Sequence, residues 1–228
     1  MPADTTSAAE LLQHLLATRH SCRAFLPEPL SRPAIERILS LAQRSASWCN
    51  AQPWQVHVLS AEATARARQD LLRFVEEHPA QPDIAFPEAY VGVYSERRSE
   101  CGWALYAAVG VHRGDRAGSA RQTHENFRFF GAPHLAIVST DASLGTYGAV
   151  DCGAFVSNFM LAAQSTGVAS IAQAALAAYS PFWRERLQLD EDRRVLCGIS
   201  FGYEDTTHPA NAFRTSRAGL DEVMTWVD

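Results

Sequence analysis

Two arginines and a serine hydroxyl lie within five residues of one another in the stretch Arg-His-Ser-Cys-Arg at 19–23. An arginine side chain presents a planar fork of N–H donors, and each hydrogen bond that it makes to an anion is roughly twice as strong as a neutral one. The stretch therefore fits a binding site for a phosphate or another anion. The alternative is a solvated helix end, where cations offset the macrodipole, and these five residues alone favour that alternative.

A second candidate is the stretch Ser-Ala-Ser-Trp-Cys-Asn-Ala-Gln-Pro-Trp at 45–54. Its small residues allow a close approach to a flat ring, and its amide side chains offer hydrogen bonds to the polar edge of such a ring. The alternative is an ordinary turn between a helix and a strand, with Trp54 in the core. The stretch alone does not separate the two.

The hydrophobic pattern of the chain predicts the elements that must position both stretches. Ser7 and Glu10 form a capping-box pattern at the start of a first helix over 7–18, and Ser31 caps a second helix that runs to Ala42. Further helices are predicted over 61–78, 95–128, 151–166, 183–188 and 219–226, and strands over 54–59, 134–139 and 195–202, the last of them central. This order favours one α+β domain spanning 1–228, with helices around a small sheet.

Composition excludes several classes of function. The net charge of −5, with both signs mixed along the 228 residues, argues against nucleic acid or an anionic membrane as a partner. A cytoplasmic location is predicted, because the sequence shows neither a secretory signal pattern nor an apolar run long enough to span a membrane. All 20 basic residues are arginine, which excludes Schiff-base catalysis and a phosphate-loop lysine. The histidines have no metal-ligand spacing, and no metal is expected.

The two candidate stretches together resemble the opening of the nitroreductase superfamily, most closely its nitrobenzoate reductase-like branch. The likeness continues through Asn-Phe-Arg-Phe-Phe-Gly-Ala-Pro at 126–133 and Asp-Cys-Gly-Ala-Phe at 151–155, and it closes with Asn-Ala-Phe-Arg-Thr-Ser-Arg at 211–217. It covers nearly the whole chain in the order of the family. The resemblance implies helices around a small, mostly antiparallel sheet. It also implies a domain-entwined homodimer in which the tail, about 203–228, wraps the partner subunit.

The resemblance further implies a bound FMN at the dimer interface. Arg19, Ser21 and Arg217, helped by Arg214, correspond to the residues that hold the FMN phosphate, with His20 beside them offering backbone or ring contacts. Arg23 corresponds to a cation near N1 and the 2-carbonyl of the flavin, where it stabilises the negative charge of the reduced ring and so serves catalysis. The remaining implied cofactor contacts are Ser47, Asn50 and Gln52 at the interface and Gln173, Ala174 and Ala175 at the other flavin edge.

The implied reaction is hydride transfer from NADPH or NADH to a small nitroaromatic or quinone acceptor. Because no GxGxxG follows a strand, the nicotinamide is expected to stack transiently on the flavin in a ping-pong cycle. Arg98, Trp103 and Phe130 are candidates for the acceptor pocket, against ordinary helix packing as the alternative. Two other hypotheses stay open: a relative with different flavin chemistry (dehalogenation, flavin breakdown or azoline oxidation), and a non-catalytic flavin carrier or redox sensor.

Overall fold

A computed structural model describes residues 7–227 and shows a four-stranded sheet in the order β1-β2-β4-β3. All three strand pairings are antiparallel, which confirms the predicted small antiparallel sheet. The strands are β1 (Gln55–Leu59), β2 (His134–Asp141), β3 (Ala169–Gln173) and β4 (Arg193–Gly202). Strands β2 and β4 are the inner pair, so the prediction of a central strand at 195–202 is confirmed.

Helices surround this sheet, as predicted. The first helix carries the expected capping box, in which Glu10 N–H donates to Ser7 Oγ and the Glu10 carboxylate accepts from Ser7 N–H. Ser31 caps the second helix, with its hydroxyl accepting from the N–H of Ala34. The helices are α1 (Ala8–Thr18), α2 (Arg32–Ala42), α3 (Ala61–Glu77), α4 (Val93–Ala108), α5 (Arg116–His124), α6 (Gly145–Ser165), α7 (Ser180–Leu187) and α8 (Leu220–Val223).

Some predicted boundaries were wrong. The segment 95–128 is two helices, because the chain turns at Gly110 and Gly114, which both have positive φ. Helix α6 begins at Gly145, six residues before its predicted start at 151, and the last helix is a single turn. Strand β3 was not predicted at all.

Two apolar cores lie on opposite sides of the sheet. Helix α6 packs its buried Phe155 and Phe159 with residues of α2 and the inner strands. The other core is centred on Trp183 of α7, which is completely buried with Phe129 and Leu71. Within residues 7–227 no helix has the combination of length and hydrophobicity needed to cross a bilayer.

The two ends of the chain meet beside strand β3. Ser21 forms an isolated parallel bridge with Ser170, and Phe25 forms an antiparallel bridge with Glu204. The N–H of Leu26 donates to the carbonyl of Tyr203 at 2.9 Å. Backbone pairing therefore joins the 19–25 segment both to the sheet and to the segment that follows β4.

Several large apolar side chains stay exposed at the two ends of the chain. Leu11, Leu12 and Leu16 of α1 are each more than half exposed, and Trp226 and Val227 in the tail are 80% and 91% exposed. Exposed apolar side chains that lie close together, as Leu12 and Leu16 do one helical turn apart on α1, are typical of a surface that another protein covers.

A glycine in the inner strand β4 provides a test of the sheet packing. A Cβ at Gly198 would lie 2.4 Å from Leu176 Cδ1, and within 3.3 Å of the ends of two further buried side chains. We expect Gly198→Ala to lower the free energy of unfolding by about 1–3 kcal/mol in urea denaturation, because the packed core must shift. Gly102→Ala is the control, since among residues 7–227 its added Cβ meets nothing within 4 Å beyond its chain neighbours and the nearby backbone of its own helix. Equal stability of the two variants would contradict this packing.

Candidate functional site

Arginines from both ends of the chain line one cavity of about 270 Å³. Arg19 and Arg23 reach it from the segment after α1, whereas Arg214 and Arg217 reach it from the tail. Helix α4 closes one side with Cys101. The other lining residues are Leu16, Ala17, His20, Ser21, Phe213 and Thr215. The structure thus brings together the residues of two motifs that stand almost 200 positions apart in the sequence.

The positive charge of this cavity is not neutralised by the chain itself. Within residues 7–227, none of the four guanidinium groups has a carboxylate oxygen within 4 Å. Burial, together with repulsion from Arg217, lowers the pKa of Arg19, and burial lowers the pKa of Arg23. An arginine nevertheless stays charged at neutral pH. Arg19 and Arg23 are half-buried, Arg214 and Arg217 are exposed, and four like charges without a paired carboxylate among residues 7–227 make this cavity a site for an anion.

The hydrogen bonds of the guanidinium groups leave a binding edge open. Arg23, Arg214 and Arg217 each use Nη1 to donate to oxygens of nearby residues. Among the described residues, the Nε and Nη2 atoms of these arginines have no hydrogen-bond acceptor. These two atoms form the fork that binds a phosphate or carboxylate in a bidentate way. The Nη1 contacts therefore fix the side chains and keep their recognition edges available.

Arg23 is held through both its backbone and its side chain. Its guanidinium carbon lies 5.4 Å from the centre of the Phe213 ring, and its Nη1 donates to the Ser21 carbonyl at 3.1 Å. Its backbone N–H donates to Oδ1 of Asn211 at 2.7 Å. Both its backbone and its side chain are therefore fixed by contacts within the site.

His20 offers only its backbone to a ligand. One ring nitrogen lies 3.2 Å from the carbonyl of Thr18, and the other lies 2.9 Å from Oε1 of Glu204. The sequence analysis allowed either the backbone or the ring of His20 to contact the ligand. In the structure, both ring nitrogens contact the protein instead. The ring joins the 19–25 segment to the segment after β4.

Asn211 is a site residue that the sequence analysis did not single out. Its side chain is almost completely buried and bonds to the backbone of Arg23, Ala24 and Asp205. Its only signal in the sequence is its position at the start of the 211–217 motif. From sequence alone, a polar residue at this position is expected to be exposed, and only the fold shows that it is buried.

The thiol of Cys22, next to Arg23 in the chain, and that of Cys197 in β4 are not nucleophiles. Burial raises the pKa of Cys22 to about 12, and the same cause raises the pKa of Cys197 to about 12. Both therefore stay protonated at neutral pH, and a thiolate mechanism has no support at Cys22. All five cysteines are free; Cys22 and Cys152 are buried, Cys101 and Cys197 are half-buried, and Cys49 is exposed.

The Gln173–Ala175 segment lies where β3 ends. The Gln173 side chain is buried, with its amide nitrogen donating to the Asn126 carbonyl at 2.9 Å and its amide oxygen accepting from the Ser200 hydroxyl. Because the side chain is turned into the protein, only the backbone of this segment is free to meet a ligand. Ala174 and Ala175 follow the last paired residue of β3.

Ser47, Asn50 and Gln52 do not line the arginine cavity. They form an exposed turn in which Asn50 and Gln52 have φ values of 56° and 49°, in the left-handed region. Gln52 N–H donates to the Ser47 hydroxyl, and Trp48 N–H donates to the Asp151 carboxylate on α6. The turn is held against α6 in an unusual conformation and faces away from the chain's own core.

The three acceptor-pocket candidates are not gathered at one place in the single chain. Because an α-helix has about 3.6 residues per turn, Arg98 and Trp103 lie about 140° apart around the axis of α4. Arg98 stacks over the Tyr90 ring at 5.3 Å. Phe130 is buried in a small apolar cluster with Cys22 and other core residues, and its side chain is 5% exposed.

Comparisons with known proteins agree on one family. The model of the nitroreductase family matches residues 16–203. A 4-nitrobenzoate reductase from Pseudomonas putida is 35% identical over 204 residues, which cover 89% of each chain. The nitroreductase NfnB of Mycolicibacterium smegmatis is 35% identical over 219 residues, 96% of this chain and 93% of that one. A crystal structure of FMN-dependent NfnB from Mycobacterium smegmatis in complex with NADPH superposes with a TM-score of 0.93 and 34% identity, covering 97% of this chain and 100% of that one.

The unpaired arginines predict that a simple oxyanion stabilises the protein. Inorganic phosphate at constant ionic strength should raise the melting temperature by about 2–4 °C, because it binds the folded state alone. Arg217→Ala should remove most of this increase, and Arg37→Ala, at an exposed position of α2, should keep it. An equal response of all three proteins in a thermal-shift series would show that phosphate does not bind at the cavity.

Proposed function

The chain belongs to the nitroreductase family, and on that premise we propose that it is an FMN-dependent oxidoreductase that passes hydride from NADPH or NADH to a nitroaromatic acceptor. The observation that carries the proposal is the cavity lined by four arginines without carboxylate partners among residues 7–227. A cytoplasmic location remains our prediction.

The donor groups of the cavity fit the phosphate of FMN. At neutral pH this phosphate carries nearly two negative charges and three acceptor oxygens, as other phosphate monoesters do. Arg19, Arg214 and Arg217 supply charge, and Ser21 supplies a hydroxyl. The open Nε and Nη2 edges of Arg214 and Arg217 match the bidentate geometry that phosphate oxygens prefer. We assign the phosphate end of the cofactor to these residues.

Arg23 is assigned to the electrostatics of the flavin ring. FMN, when bound, supplies a ring that accepts hydride from one molecule and releases it to another. A fixed cation at the pyrimidine edge stabilises the negative charge that develops there on reduction. Arg23 suits this task, because its guanidinium does not titrate and is held on Phe213 and the Ser21 carbonyl.

The segment Gln173–Ala175 is assigned to the opposite edge of the ring. The buried Gln173 side chain fixes this backbone through Asn126 and Ser200, so that the N–H groups of Ala174 and Ala175 remain as possible donors. We assign proton supply to water and propose that donor and acceptor occupy the same face of the flavin in turn.

A homodimer completes the proposed site. The exposed apolar side chains of α1 and the tail support an interface at the two chain ends. We propose that the tail wraps the partner subunit, and that Ser47, Asn50 and Gln52 reach the flavin of the partner. Their exposure and their distance from the chain's own arginine cavity support this assignment.

Arg98 is our candidate for selecting the acceptor. Within the described residues its guanidinium has no carboxylate partner within 4 Å, and it stands one helical turn before Cys101, which lines the arginine cavity. A cation there suits an aromatic acceptor with a carboxylate, such as the nitrobenzoate in the name of the P. putida relative. Trp103 and Phe130 remain candidates for apolar contacts with the ring.

The direct test of the function is rapid mixing of the flavin-loaded protein with NADPH and with NADH. We expect the yellow colour to bleach with at least one of them and to return on addition of 4-nitrobenzoate under anaerobic conditions. Slow bleaching with both nucleotides, and no return with nitroarenes or quinones, would instead identify a flavin carrier or sensor.

The role of Arg23 predicts a change in redox potential. Arg23→Glu should lower the midpoint potential of the bound flavin, because it replaces a stabilising cation with an anion beside the reduced ring. Arg23→Lys is the control and should stay close to the wild type. An unchanged potential in Arg23→Glu, measured by dye-coupled spectrophotometric titration, would remove the role assigned to this residue.

The role of Arg98 predicts a change in substrate preference. Arg98→Ala should raise KM for 4-nitrobenzoate by about tenfold, the effect of losing one charge-assisted hydrogen bond, and leave nitrobenzene within about twofold. Arg97→Ala is the control on the same helix, because Arg97 is paired with Glu222 at 2.9 Å. Parallel changes for both acceptors would contradict a carboxylate site at Arg98.

The exposed tail predicts a dependence of the dimer on its last residues. Deletion of 218–228 retains all four arginines of the cavity but removes the exposed Leu220, Val223 and Trp226. Light scattering coupled to gel filtration should then show dissociation at micromolar concentration, whereas the polar control Asp221→Ala should stay dimeric. A dimer of unchanged stability after the deletion would mean that the tail does not cover the partner.

A further inference from the structure

One buried amide connects the two ends of the chain at the arginine cavity. The side chain of Asn211 accepts a hydrogen bond from the Arg23 N–H at 2.7 Å and donates to the carbonyls of Ala24 and Asp205, both at 2.9 Å. Its own backbone carbonyl accepts from Arg214 Nη1, also at 2.7 Å. The residue is 4% exposed. Two of the four arginines are thus attached to the same residue, one through its backbone and one through its guanidinium.

We infer that Asn211 is a positioning residue that holds Arg23 and Arg214 in their binding arrangement before any anion arrives. This inference rests on the proposed function, since it assigns Arg23 to the flavin ring and Arg214 to the phosphate. Guanidinium groups in the cavity repel one another when it holds no anion, as Arg217 repels Arg19. Hydrogen bonds that fix the arginines oppose this repulsion, and such preorganisation lowers the ordering cost of binding.

The chemistry of the amide explains why asparagine suits this position. The Arg23 N–H requires an acceptor, whereas the carbonyls of Ala24 and Asp205 require donors. An amide supplies both at one place without adding a charge. A carboxylate would provide no donor, and an apolar side chain would leave the Arg23 N–H without its acceptor and take one donor away from each of the two carbonyls. Asn211 also extends the backbone pairing between the 19–25 segment and the segment after β4, where Asp205 N–H donates to the Ala24 carbonyl at 3.1 Å.

The test compares Asn211→Ala with a matched variant of another buried polar side chain. His134 is 3% exposed and also joins two backbone segments, with its ring bonded to the N–H of Leu30 and the carbonyl of Leu59. Its ring makes no hydrogen bond to the 19–25 segment or to the 211–217 segment, which supply the arginines of the cavity. His134→Ala therefore measures what the loss of a buried bridge does to the fold in general. For each protein we would measure the melting temperature, the FMN dissociation constant of the deflavinated form, and the flavin midpoint potential.

We expect Asn211→Ala to weaken FMN binding by about tenfold or more, and to lower the midpoint potential as Arg23 loses its fixed position. His134→Ala should lower the melting temperature. Its FMN affinity should stay within about twofold of the wild type, and its midpoint potential should stay within the error of the measurement. If Asn211→Ala does not fold, Asn211→Ser, which is smaller but keeps a hydroxyl, is judged by the same criteria. Equal FMN affinities and potentials in the Asn211 and His134 variants would overturn the inference.

A double-mutant cycle identifies the residue through which Asn211 acts. In an Arg214→Ala background, Asn211→Ala should weaken FMN binding by a clearly smaller factor than it does in the wild type, because part of its effect has already been removed. Equal factors in both backgrounds would show that Asn211 does not act through Arg214.

A phosphate series separates the failure of this inference from the failure of the proposed function. Stabilisation by inorganic phosphate should be weaker in Asn211→Ala than in His134→Ala, and this measurement needs no flavin. If the wild type responds to phosphate but does not bind FMN, the proposed function fails and the phosphate series still decides the role of Asn211.

Discussion

Four arginines share one cavity, and this gathering of like charge is the central constraint on the structure. Half-buried Arg19 and Arg23 come from one end of the chain, and exposed Arg214 and Arg217 come from the other. Because the described residues supply no carboxylate to them, an anionic ligand would stabilise their arrangement. The fold must bring these residues together and hold them there.

The scaffold meets this demand mainly with backbone hydrogen bonds. The 19–25 segment is bridged to β3 on one side and to the segment after β4 on the other. The His20–Glu204 contact and the Asn211 amide add side-chain links at the same junction. The arginines are anchored through backbone and Nη1 contacts, so their Nε and Nη2 atoms stay open to a ligand. In the proposed function, cofactor binding, redox tuning and the joining of the chain ends therefore depend on one set of contacts.

The sequence predicts the elements with strong local signals. The capping box at Ser7, the cap at Ser31 and the dense apolar run of β4 each have a local physical cause, and each is present in the structure. Strand β3 could not be predicted in this way, because Ala-Ser-Ile-Ala-Gln is short and carries one β-branched residue; it is a strand because it pairs with β4. Residues 95–128 were predicted as continuous helix, but two glycines with positive φ divide them.

The arginine cavity could be predicted only in part. The motifs at 19–23 and 211–217 indicate its residues through family resemblance, but the role of Asn211 depends on burial that arises from long-range pairing. The engagement of the His20 ring with Glu204 is also a tertiary contact between distant residues. Local sequence carries no signal for either of them.

The most direct measurement compares FMN with riboflavin as ligands of the deflavinated protein. The two molecules share the same ring, and only FMN has the phosphate that the arginines are assigned to bind. Fluorescence titration should give FMN a dissociation constant about 100-fold or more below that of riboflavin, the effect of at least two charge-assisted hydrogen bonds, with the difference shrinking as salt is added. Dissociation constants within about threefold of each other at low salt would contradict the account.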